Sequence, residues 1–199
     1  MLTDTSVRLR LGPAEFDVEL QVPAEAVRLQ DMLPVFRSMT DGLVDVAIDA
    51  SAEEGKPISC KKGCGACCRM AIPVSEPEAY RLTEYVDLMP EPRRTVIKDR
   101  FAAGMEVFRK SGMLGRMFQR PKDDRDAKRA MDELDTYFEK GVPCPFLEEE
   151  SCSIYEERPL ICRQFVVTSD PAYCATKEGK GIERVPLLAR PQDALILIA

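Results

Sequence analysis

Polar and apolar residues alternate at the start of this chain. Val7, Leu9 and Leu11 fall on every second position, and so do Phe16, Val18, Leu20 and Val22. A period of two on both sides of Gly12-Pro13-Ala14-Glu15 predicts an antiparallel β-hairpin, because successive strand side chains point to opposite faces. From Pro34 the period lengthens. Val35, Met39, Leu43, Val46 and Ala50 recur at helical spacing to about Glu53, and Gly55 and Pro57 mark the stop. Ser75-Glu76-Pro77-Glu78 has the form of a capping box, so a second helix is expected to about Met89, before Pro90. Ile97, Phe101, Met105 and Phe108 make a stripe on a long amphipathic helix from Glu91 to about Met117. Ala127, Met131, Leu134 and Phe138 make another from Asp123 to Lys140, closed by Gly141. Glu156-Glu157-Arg158-Pro159 opens a short helix, with Pro in its first turn. The tail from Val185 is apolar and interrupted by prolines, and is expected to dock on the core.

These elements predict a mainly α, small α+β fold: an N-terminal β-hairpin followed by helices. The chain of 199 residues suits a single domain over 1–199 and can bury a core without disulfide staples. Its expected parts are a hairpin region over 1–30, a helix over 34–57, a core over 58–175 with a helical insert over 75–140, and a docked tail over 176–199.

Composition narrows the partners. A formal charge of −6 argues against general nucleic-acid binding, which relies on basic surface to neutralise phosphates. The start, MLTDTSVRLRLG, lacks the pattern of a secretory signal, and no apolar run approaches the length of about 18 residues that suggests a membrane span. The expected compartment is the cytoplasm, where thiols stay reduced, with no membrane contact.

Cysteine changes the picture. The chain has eight cysteines and no histidine. Cys60, Cys64, Cys67 and Cys68 crowd one Gly-punctuated loop, and Cys144, Cys152, Cys162 and Cys174 follow after a helical insert. The spacings are C-x3-C-x2-C-C and C-x7-C-x9-C-x11-C. Thiolates from one turn can converge on a soft metal, and without histidine the site is all-thiolate. Neither loop has the apolar content to fold alone, so a shared metal site joining them would explain both. Adjacent residues point in different directions, so Cys67 and Cys68 are expected to serve different metals, or one of them to bridge, act as a redox thiol or stand spare. Cys174, farthest from the rest, best suits a plain buried role. Lys61, Lys62, Arg69, Arg158 and Arg163 lie beside cysteines, either as cations favouring thiolates or as ordinary surface charge. The acidic residues Glu148, Glu149, Glu150, Glu156 and Glu157 read as a solvated loop rather than as ligands. Tyr155 and Phe165 read as packing that keeps the site dry. Cys60, Cys64 and Cys67 also have the ligand spacing of radical S-adenosylmethionine enzymes, but Ala66 stands where those enzymes often carry an aromatic residue. The chain also lacks their alternating strand–helix series. No Ser-His-Asp arrangement, phosphate loop or dinucleotide fingerprint is present.

The runs GCGACCR (Gly63 to Arg69), CPFL (Cys144 to Leu147) and CSIYEERPLICR (Cys152 to Arg163) resemble the YkgJ-type cysteine-cluster family, a zinc- or iron-chelating domain with a CxxCxxCC motif. The matching cysteines are Cys64, Cys67, Cys68, Cys144, Cys152 and Cys162, with Cys60 just upstream. The resemblance implies an iron–sulfur or zinc centre and names no reaction. A similar cysteine pattern occurs in flagellin lysine N-methylases. All eight cysteines are therefore candidate ligands, of an iron–sulfur centre of the [4Fe–4S] type with a redox or accessory role. A structural zinc module that binds another protein is the alternative, and an S-adenosylmethionine-dependent methylase-like enzyme is the third reading.

Overall fold

The computed structural model describes residues 2–11, 14–117, 136–176 and 181–198. Strand β1 (Leu2–Leu11) pairs antiparallel with β2 (Ala14–Pro23), in a register that sets Val7 against Val18 and Leu11 against Ala14. The fold is mainly α with this small β component, as the periodicity predicts. A 3-10 turn at Leu29–Met32 leads into helix α1 (Leu33–Glu53), with Pro34 in its first turn. Gly55, at φ 76°, ends it in a left-handed conformation that a side chain would resist.

The buried face of α1 is not the predicted one. Leu33, Thr40, Val44, Ala47 and Ser51 are buried, while Val46 is 54% exposed and Ala50 lies in solvent. The stripe is rotated by about one residue, or about 100°, because α1 packs on the short helix Leu160–Gln164. Thr40 tolerates burial by donating its hydroxyl to the carbonyl of Phe36 (2.7 Å).

Helix α2 (Glu76–Asp87) starts at Ser75 as predicted. Helix α3 (Arg93–Lys110) is shorter than expected. Gly112, at φ 70°, breaks it, and Met113 then turns fully into the core before a further helical segment at Leu114–Met117. Of the predicted α3 stripe, Ile97 and Phe108 are buried, but Phe101 and Met105 are largely exposed. Phe101 still sets its edge on Phe146, with ring centroids 5.5 Å apart. The helix expected over Asp123 to Lys140 lies outside the described residues up to 135; residues 136–139 are helical, and Tyr137 stacks on Phe108.

The second cysteine segment is built from short pieces. Leu147–Glu148 pairs with Ser151–Cys152 in a minimal hairpin. The tail packs through Leu195, fully buried with Leu33 and Leu160, on a C-terminal helix (Pro191–Ile198) that the proline-interrupted pattern did not suggest. Among the described residues no helix is long and apolar enough to cross a membrane.

Candidate metal centre

Two apolar clusters carry the cysteine segments. Val86, Met89, Ile97, Phe146 and Ile154 form one, with Cys144 and Cys152 packed on it. Val44, Ala47, Val166 and Val185 form the other, with Cys60 at its edge. Between them lies a cavity of about 660 Å³, bordered by Cys60, Cys64, Cys67, Cys68, Cys144, Cys152 and Cys162. Seven of the eight predicted ligands, from segments 75 residues apart, thus face one space.

The backbone explains how the two segments meet. The first segment is anchored where Ser59 donates its N–H to the Val167 carbonyl (2.9 Å) and its hydroxyl to the Ser169 carbonyl (2.5 Å). Val167 N–H in turn points at the Cys60 sulfur (3.4 Å). The chain then turns at Cys64 and again over Ala66–Arg69, where Cys68 N–H reaches the Gly65 carbonyl (3.0 Å). Cys144 N–H donates to the Cys68 carbonyl at 2.7 Å, a direct tie between the two clusters.

Gly65 is required by this approach. A Cβ there would meet Leu147 Cδ1 at 2.5 Å and the Glu150 carbonyl oxygen at 2.7 Å. The tip of the minimal hairpin presses on the first cluster, and both tip residues, Glu149 (φ 49°) and Glu150 (φ 57°), adopt the left-handed geometry of a two-residue turn without glycine. Arg69 closes the contact by gripping the Glu150 carboxylate with two N–H groups (2.9 and 2.5 Å).

Cys162 is placed by Arg163 and Glu78. Arg163, 8% exposed, holds Asp41 of α1 with two contacts (2.9 and 2.7 Å). It also donates to the carbonyls of Arg158 (3.2 Å) and Glu156. The buried Glu78 carboxylate accepts from Ser75 N–H (2.9 Å) and the Ser75 hydroxyl (2.7 Å), and its other oxygen accepts from Leu160 N–H (2.7 Å). The capping box therefore does more than start α2: it also fixes the helix that bears Cys162.

All eight cysteines are free thiols. Cys67 and Cys68 lie side by side on one short 3-10 turn, Ala66–Arg69, and both border the cavity. Interaction between the adjacent thiols holds Cys67 below the usual thiol range and pushes Cys68 above it. Burial pushes the thiols of Cys60, Cys144, Cys152 and Cys162 up. Cys174 does not border the cavity. It is buried at 4% exposure on the turn Pro171–Ala175, which packs on Ala66–Arg69, and burial raises it to about 11.

The five basic residues separate into different roles, and the exposed Lys61 borders the cavity. Arg69 and Arg163 are occupied by Glu150 and Asp41, and the exposed Lys62 lies 3.8 Å from Glu156. Arg158 borders the cavity and favours the thiolates of Cys60, Cys67, Cys152 and Cys162. Its guanidinium lies 3.8 Å from the ring centre of Tyr155. The acidic residues near the hairpin are mostly paired: Glu148 reaches Arg100 at 3.1 Å, and Glu157 reaches Arg37 at 2.5 Å. None of Glu148, Glu149, Glu150 or Glu157 borders the cavity, while Glu156 does. Tyr155 and Phe165 both line it, as expected of groups that exclude water.

This donor set fits a soft metal: free sulfurs, apolar walls and a cation among them. The thiols border the space without converging as they stand; among the described residues no three Cys, Asp or Glu groups are close enough to hold an ion. Binding therefore calls for side-chain rotation around an incoming centre. No curated protein and no solved structure matches the chain. A family model does match, over residues 59–179, more than half of the sequence and nearly all of the cavity's cysteine-bearing wall. The chain belongs to the CxxCxxCC family, described as a "Putative zinc- or iron-chelating domain", and metal chelation by its cysteines is what that membership assigns.

Proposed function

We propose that this protein holds an iron–sulfur centre of the [4Fe–4S] type in the cavity between its two cysteine segments, and that its role is redox or accessory to a protein partner. The observation that carries this is the number of thiols on one space. Four sulfurs saturate a tetrahedral ion, and seven face this cavity. Cys60, Cys64, Cys67, Cys68, Cys144, Cys152 and Cys162 are the proposed ligand pool, with Cys174 as a buried support. Such a centre, when bound, supplies electron transfer. The chain's own contribution is to collect the thiols, exclude water with Tyr155, Phe165 and Phe146, and supply positive charge beside them. We read the whole chain as one unit organised by this centre and working in the cytoplasm.

Zinc is the alternative occupant, and the adjacent pair Cys67 and Cys68 lets two four-thiolate ions be imagined only if Cys174 turns inward. Protein purified without oxygen distinguishes the two. Iron and acid-labile sulfide in equal amounts, with broad absorption in the visible, are expected. A colourless protein carrying two zinc ions and no sulfide would replace this reading with the structural module.

A further inference from the structure

Arg158 carries an unsatisfied polar group at the cavity wall. Its Nε is shut off from solvent and has no hydrogen-bond partner. Buried donors are rarely left without an acceptor, and each such case asks for an unseen partner. Two neighbouring guanidinium groups do have acceptors: Arg163 has Asp41 and two carbonyls, and Arg69 has Glu150. Arg158 is also held rigidly. Tyr155 stacks under its guanidinium, and Arg163 grips its carbonyl. Both Arg158 and Tyr155 border the cavity that the seven thiols share.

Four thiolates on a divalent ion leave a net charge of −2, and a cubane cluster with four thiolates is also anionic. Anionic sulfur is a hydrogen-bond acceptor, and donors to ligand sulfur tune a metal centre. We infer that Arg158 is the outer-sphere donor of this centre, giving its orphaned Nε–H to a metal-bound sulfur and balancing the charge of the assembled site. The inference rests on the metal reading above but not on which metal is native. Arg158 is a positioning residue: it ligates nothing.

Cobalt(II) serves as the probe, because thiolate-to-cobalt charge transfer gives a near-ultraviolet band whatever the natural occupant. A hydrogen bond lowers the energy of the sulfur lone pair, so its loss moves this band to longer wavelength. In anaerobic titrations of the metal-free full chain, Arg158→Gln should shift the band to longer wavelength and weaken cobalt binding about tenfold. Arg158→Lys, which keeps charge without Nε–H, should restore much of the affinity but not the band position. Lys62→Gln, which removes an exposed charge near the same tyrosine, should change neither. A purely structural role for Arg158 would alter stability and leave the band where it is. An unmoved band and unchanged affinity in Arg158→Gln, with cobalt bound normally by the parent, overturn this inference alone. Absence of any thiolate–cobalt band in the parent protein overturns the metal reading and this inference together.

Discussion

At the scale of single residues, the cysteines are only half of the site; the other half is what lets them meet. Gly65 is the clearest case. Any side chain there collides with Leu147 and with the Glu150 backbone, which cannot swing aside because its turn is already in a constrained conformation. Gly65→Ala should cost about 1–3 kcal/mol in denaturant unfolding of the metal-free protein. A neutral outcome would mean that the hairpin tip does not sit on the first cluster. Cys174 offers a second test. Its thiol is raised by burial from an ordinary 9.0 to about 11. A raised pKa favours the neutral thiol in the folded state, so this contribution is complete below pH 9 and drains away as pH climbs toward 11. Melting temperatures of reduced, metal-free protein should therefore fall across that window, and fall less in Cys174→Ala. Equal slopes for the two proteins would contradict the burial of this thiol. The cysteines themselves were legible in the sequence, as were Tyr155 and Phe165, because residue type alone announces their chemistry. Which nearby cations are already occupied was not legible, since the pairing of Arg69 with Glu150 and of Arg163 with Asp41 joins residues about 80 and 120 positions apart.

At the scale of elements, local signals held and long-range ones did not. The period-two strands of the hairpin and the Ser75 helix start are local patterns, and the sequence displays them directly. The face of α1 is chosen by what packs on it. Leu160–Gln164 together with Val166 and Val185 selects Thr40, Val44 and Ala47 over the more obviously apolar Val35, Leu43 and Val46. The second use of Glu78 is hidden for the same reason. Its Oε1 reaches Leu160 N–H, 82 residues away, while the local pattern explains only Oε2. Glu78→Gln puts an amide donor against backbone donors in a buried place. It should cost about 1.5–3 kcal/mol in global stability and loosen amide protection around Cys162 in hydrogen exchange. Loss of stability without any change near Cys162 would confine Glu78 to its capping role.

At the scale of the whole molecule, the proposed centre would close a loop. The first segment is tied at Ser59 to the 167–169 strip, and at Cys68 to Cys144. The chain between them carries α2, α3 and the insert. A metal bonded to thiols on both sides is a cross-link over that whole stretch, so its binding free energy becomes folding free energy. Chelation should lower the melting temperature of the loaded protein, in proportion to how tightly the metal is held. Cys64→Ser should lose both metal and the stability that comes with it. Normal melting in that variant, with metal still bound, would show that the centre does not depend on the first segment.

The central claim is that sulfur from both segments surrounds one metal centre. X-ray absorption at the metal edge, on protein purified without oxygen, measures it most directly. The account predicts a first shell made of sulfur alone, lost when Cys68 and Cys144 are both replaced by serine. A first shell dominated by oxygen or nitrogen, or one unchanged in that double variant, would contradict it.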